Sequence, residues 1–85
     1  MRIAVVTGAS SGLGREFVRQ ISENEAVQEI WVIARRKNRL QELAAEIVGV
    51  HVRPIPLDLT VKDDIQIFRE LLEKEKPDVR ILVNA

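Results

Sequence analysis

The chain has 85 residues, enough for one small domain burying about 60 to 65% of its unfolded surface and too few for a two-part enzyme of ordinary size. Its 13 Lys and Arg balance 13 Asp and Glu, so no overall field draws nucleic acid or an acidic membrane, and neither is expected as a partner. The absence of cysteine excludes disulfides and cysteine-ligated metals, and the longest apolar runs, 3–6 and 30–34, are too short to span a bilayer or form a signal-peptide core, so a soluble cytoplasmic protein is expected.

The first apolar run, residues 3–6, predicts a strand, and the segment Val6-Thr7-Gly8-Ala9-Ser10-Ser11-Gly12-Leu13-Gly14 follows it directly. Gly8 can take the positive φ of a tight turn, while Gly12 and Gly14 lack the Cβ that would hold a pyrophosphate off the main chain or a helix off the sheet. Next, Leu13, Phe17, Val18 and Ile21 predict an amphipathic helix that ends near Asn24. Its free N–H groups and dipole favour an anion at its start, where Ser10 and Ser11 can cap the helix or donate to phosphate. A glycine loop that merely shapes a strand-to-helix turn is the alternative, but three glycines at this spacing exceed what a turn needs. A P-loop is excluded, because Arg15 and Glu16 stand where it requires lysine and Ser/Thr.

Residues 30–34 are continuously apolar and β-branched, as a strand covered on both faces should be. A basic turn leads to a second helix carrying Leu40, Leu43, Ala44 and Ile47, with Gly49 as its C′ residue. From Val50 to Leu57 the period changes to two, and Pro54 and Pro56 place this third strand at a sheet edge, since proline donates no ladder hydrogen bond. Thr60 and Asp63 read as a capping-box variant for a third helix carrying Val61, Ile65, Phe68, Leu71 and Leu72, with Pro77 just beyond it. Residues 79–83 make a fourth strand. Three β-α units and a final strand predict an α/β fold over 1–85: a Rossmann-like, doubly wound parallel sheet of order 3-2-1-4 with helices on both faces, truncated after the fourth strand.

At the end of the second strand, about 20 residues past the glycines, an acidic residue would hold the ribose of NAD and an arginine would admit the 2′-phosphate of NADP. Here Ala34 is followed by Arg35 and Arg36. Arg35 can give charge-assisted hydrogen bonds to that phosphate, with Arg36 or Arg15 as the second cation. The competing reading is an ordinary solvated turn built from Arg35, Arg36, Lys37 and Arg39.

These motifs, together with Asp58-Leu59-Thr60 and Ile81-Leu82-Val83-Asn84, are similar over the whole chain to the N-terminal half of a short-chain dehydrogenase/reductase. The glycine spacing resembles that of the simple reductases, not of the extended sugar epimerases. The resemblance implies that the loop from Gly8 to Gly14, including Leu13, holds the pyrophosphate and that Arg35 and Arg36 hold the 2′-phosphate of NADP, with NAD the lesser cofactor. Asp58 and Leu59 would frame adenine, the Asp58 carboxylate accepting from the exocyclic amine, and Asn84 would lie beside the ribose and brace the sheet. Helix capping is the alternative role for Asp58. Ala85 departs from the family, which commonly has a second asparagine there.

The family's chemistry belongs to a serine, a tyrosine and a lysine beyond the fourth strand, and this chain contains no tyrosine. No catalytic or metal-binding residue is therefore expected in it, and His51, on an edge strand, reads as a surface residue. The parent is expected to be an NADP-dependent oxidoreductase acting on a carbonyl or alcohol, and these 85 residues its inactive nucleotide-binding half. A stand-alone nucleotide-binding module or a purely structural fragment is the alternative. Self-association is expected, through the apolar edge at Ile81, Leu82 and Val83 or through the helix faces left without their neighbours.

Overall fold

The computed structural model describes residues 1–23 and 26–85. Strands β1 (Arg2–Thr7), β2 (Glu29–Ala34), β3 (His51–Pro56) and β4 (Asp78–Asn84) alternate with helices α1 (Gly12–Ser22), α2 (Lys37–Glu46) and α3 (Lys62–Glu75). All strand pairs are parallel, in the order β3-β2-β1-β4. The chain runs outward from β1 to β3 and then crosses back to β4, and with one handedness of crossover this reversal moves the third helix to the opposite face.

Two apolar layers result. On one face Ala4, Val6, Ile30, Val32 and Val52 meet Val18 and Ile21 of α1 and Leu40 and Leu43 of α2. On the other, Ile3, Val5, Trp31, Ile33 and Ile55 meet Phe68, Leu71 and Leu72 of α3. β1 and β2 are buried on both sides, which is why their sequences are continuously apolar. Trp31 is fully buried, and its indole N–H donates to Glu29 Oε1 at 2.7 Å while the Arg53 guanidinium lies 4.9 Å above the ring.

The edge strand β3 carries its two prolines as expected, Pro54 beside Val32 and Pro56 beside Ala34. β4 forms the other edge, where Leu82 is 69% exposed. Its register slips between Ile3 and Ala4, so Arg80 is an extra residue on the β4 side.

Local details correct three expectations, and a fourth lies outside the described residues. The buried stripe of α1 is Gly14, Val18 and Ile21, whereas Leu13 and Phe17 are exposed. Each residue turns the helix by about 100°, so the Leu13–Phe17 row lies one step beside the buried row, and a glycine supplies the close contact that a count of apolar residues assigns to leucine. Ser22 is the last residue of α1, and the expected end near Asn24 lies outside the described residues. Gly49 has a positive φ of 95°, but α2 ends with Ile47 as an extended C-cap, so the glycine belongs to the turn into β3 and is not the C′ residue. The cap of α3 is Val61, with no side-chain bond; Thr60 lies outside the helix and its partners differ from the expected box. α3 ends on Lys76 in the left-handed region, its N–H donating to the Leu72 carbonyl at 2.8 Å, and Pro77 prevents continuation. Among the described residues no helix is long and apolar enough to cross a membrane.

Candidate functional site

The C-terminal ends of all four strands open into one cleft of about 760 Å³. Its floor is the turn after β1. Gly8 turns the chain at φ 66°, and a Cβ there would run into the Ala85 carbonyl. The Ala9 N–H donates to the Ile33 carbonyl at 3.3 Å, tying the turn to β2. Ser11 is the N-cap of α1: its hydroxyl donates to the Gly8 carbonyl at 2.8 Å and accepts from the Gly14 N–H at 3.1 Å. Gly14 sits beneath the turn, where an added Cβ would lie 2.8 Å from Ala9 Cα; at Gly12 an added Cβ would meet nothing within 4 Å. Thus Gly14 serves packing and Gly12 leaves open space at the helix start.

The opposite wall comes from β4. Thr7 Oγ1 donates to Asn84 Oδ1 at 2.6 Å, and the Ala85 N–H donates to the Thr7 carbonyl at 3.1 Å. Asn84 therefore joins β4 to β1 at the cleft, the bracing expected of it.

The third wall is the turn after β3. Asp58 Oδ1 accepts from both the Thr60 N–H, at 3.0 Å, and the Thr60 hydroxyl, at 2.6 Å. The Asp58 N–H donates to Asp64 Oδ2 at 2.8 Å, and the Asp58 carbonyl accepts from the Val61 N–H at 3.0 Å. Asp58 thus shapes the approach to α3 and does not cap it with its side chain. The Thr60 hydroxyl first, the Thr60 N–H next and the charge of Arg35 hold the Asp58 carboxyl below its ordinary value. Arg35 and Asp58 both line the cleft.

The structure gathers Gly8, Ser10, Ser11, Arg35, Asp58, Leu59 and Asn84 around the cleft, along with apolar Val5, Ile33, Leu57, Phe68 and Leu82. Gly12, Leu13, Gly14 and Arg36 stand outside its lining, and Leu13 is 63% exposed. Arg15 is turned away: its guanidinium pairs with Glu46 Oε1 at 2.5 Å, and Arg19 reaches the other oxygen at 3.3 Å. Among the described residues neither Arg35 nor Arg36 makes a salt bridge, so the basic charge available at the end of β2 is theirs. His51 lies at the start of β3, exposed and 3.9 Å from Glu29. A second hollow of about 460 Å³ between β3 and α3, rimmed by Arg53, Glu70 and Lys74, has no glycine in its lining. Among the described residues no cluster of His, Cys, Asp or Glu could hold a metal.

Two residues of this site escape a reading of the sequence. Asp64 is the third residue of α3, and its bond back to Asp58 becomes visible only once the helix is seen to start one residue later than the Thr60–Asp63 pattern suggests. Glu46, which withdraws Arg15, lies 31 residues further along the chain, with no local signal joining the two.

A glycine turn at the end of the central strand of a 3-2-1-4 parallel sheet defines a Rossmann-like α/β unit. The chain belongs to the short-chain dehydrogenase family, whose description, short chain dehydrogenase, matches residues 2–85. It is 31% identical over 80 residues to the NADPH-dependent 1-acyldihydroxyacetone phosphate reductase of Saccharomyces cerevisiae, a match covering 94% of this chain and 26% of the yeast protein. The short-chain dehydrogenase from Sphingobium yanoikuyae in complex with NADPH superposes with a TM-score of 0.82 at 30% identity, over 96% of this chain and 32% of that one. The L-sorbose reductase from Gluconobacter frateurii, complexed with NADPH and L-sorbose, superposes with a TM-score of 0.83 at 29% identity, over 98% of this chain and 32% of that one. The chain thus spans about a quarter to a third of the length of these relatives.

Proposed function

We propose that residues 1–85 form one dinucleotide-binding unit of an NADP-dependent oxidoreductase that acts on a carbonyl or alcohol. The observation that carries this reading is Arg35, which follows β2, makes no salt bridge among the described residues and lines the same cleft as the Gly8 turn. The donor set fits the ligand. Open space at Gly12 and the capped start of α1 suit a pyrophosphate, Arg35 with Arg36 beside it suits a 2′-phosphate, and the Asp58 carboxylate suits the amine of adenine. The NADPH and NADP complexes among its structural relatives support the same choice of cofactor.

When bound, NADP(H) supplies hydride exchange at its nicotinamide. The residues of this chain bind and orient the dinucleotide. With no tyrosine, they contain no counterpart of the family's proton donor, and turnover by these 85 residues alone is not expected. The reading also includes a cytoplasmic location, suited to a chain without cysteine, and self-association through the β4 edge.

Calorimetric titration of the chain with NADP and with NAD tests the proposal. NADP is expected to bind several-fold more tightly, and Arg35→Ala should weaken NADP by about 1.5 to 3 kcal/mol while leaving NAD nearly unchanged, the size of a hydrogen bond to a charged group. Equal weakening of the two would remove Arg35 from the 2′-phosphate. Absence of binding to either would leave a folded unit of the family without an independent nucleotide site.

A further inference from the structure

Asp58 is fastened through its side chain and its main chain at once. Both donors of Thr60 converge on one of its oxygens, Oδ1, at 3.0 and 2.6 Å. Its main chain is fastened separately, by the partly buried 2.8 Å bond from its N–H to Asp64 Oδ2. Asp64 is on the first turn of α3, where the helix dipole favours a carboxylate, so the anchor belongs to a 14-residue helix and not to the loop. Among the described residues Asp58 Oδ2 has no hydrogen-bond partner.

An ionised carboxylate accepts hydrogen bonds and donates none. With Oδ1 occupied and the main chain fixed, Asp58 offers one acceptor of set direction to the cleft, beside the apolar Leu57 and Leu59. A flat base lying there would present either an amino group, which satisfies that acceptor, or a ring carbonyl, which opposes it.

We propose that Asp64 and Thr60 are positioning residues for base recognition: together they clamp Asp58 so that its free oxygen selects a 6-amino purine over a 6-oxo purine. The inference rests on the dinucleotide reading above and deepens it. It separates two tasks within one cleft, since Arg35 reads the ribose phosphate and the clamped Asp58 reads the base.

The test compares binding of NADP, NAD and the hypoxanthine analogue of NADP to the 85-residue chain, its D64A, D64N and T60V variants, with amide hydrogen exchange as a second readout. Wild type should prefer NADP over the hypoxanthine analogue by about tenfold or more, the yield of one hydrogen bond to a charged acceptor. D64A should reduce that preference to less than about threefold while leaving the NADP/NAD ratio in place, and exchange should quicken at the Asp58 amide but not across the sheet. D64N, which keeps an acceptor oxygen, should restore the preference. T60V, which leaves the Asp58–Asp64 bond intact, should reduce it as D64A does and stands in for D64A should that variant not fold. An unaltered preference in a folded D64A or T60V overturns the clamp, as does a parallel fall in both ratios while the sheet keeps its protection. Wild type that binds NADP but does not distinguish the bases also overturns it and spares the dinucleotide reading; wild type that binds no dinucleotide overturns both.

Discussion

Gly12 and Gly14 stand two residues apart in one motif and do opposite work. A methyl group on Gly14 would press on the backbone of Gly8 and Ala9, which cannot swing away as a flexible side chain can. Gly14→Ala should therefore lower stability by about 1 to 3 kcal/mol, the usual range for overpacking, seen as a fall in the thermal midpoint. A Cβ on Gly12 would meet nothing within 4 Å. Gly12→Val should leave the midpoint within the change of about 0.5 kcal/mol expected of a surface substitution, yet abolish the heat of NADP binding. A stable Gly14→Ala variant would show that the turn can relax, and NADP binding by Gly12→Val would put the pyrophosphate elsewhere. The glycines could be read from the sequence because turn, strand and helix follow one another locally. Their division of labour could not, since it depends on which way each Cα faces, and the same blindness assigned Leu13 to the buried stripe that Gly14 occupies. Arg15 was open to a phosphate-binding reading for a similar reason, its partner Glu46 being brought to it only by the packing of α1 beside α2.

That ion cluster also gives the helices a dependence on pH. Arg15 donates to Glu46 and lies close to it in charge, Arg19 adds a second contact, and the Glu46 carboxyl is held below the ordinary glutamate value, by the Arg15 hydrogen bond above all. A carboxyl with a depressed native pKa contributes stability that is fully present above its unfolded value, about 4.3, and is lost as pH falls through the native one. Glu75, held low by Arg53 between α3 and β3, acts in the same direction. The thermal midpoint should therefore be flat from neutral pH to about 5 and decline below about 4. Glu46→Gln should melt slightly lower than wild type at neutral pH, and the gap should close on acidification. A gap that persists or widens at low pH would show that Glu46 stabilises by packing and not by charge. Element by element, the strands were legible because burial on both faces leaves a continuous apolar run, as in residues 30–33, and because proline reports an edge by itself. The start of α3 was less so. A Ser/Thr-x-x-acid pattern is short enough to fit at Thr60, while the chain places Val61 at the cap and uses Asp64 to secure Asp58.

The two edges of the sheet are unequal. β3 is blunted by Pro54 and Pro56, which deny an incoming strand two donors. β4 has no proline, and it leaves Leu82 69% and Val79 43% exposed on the side of α3, where no described residue covers them. α3 itself has no fully buried residue, so the second apolar layer is open towards β4 while the first is closed by α1 and α2. Association through this molecule's sheet should therefore use the β4 edge and not the β3 edge. In sedimentation velocity the apparent mass should rise with concentration. Leu82→Lys, which places a charge on the exposed edge without removing a buried contact, should return the chain to a monomer at an unchanged thermal midpoint. Lysine introduced at Pro54 should not have that effect. A monomer at every concentration, or association that survives Leu82→Lys, would mean that the open layer closes without a partner strand.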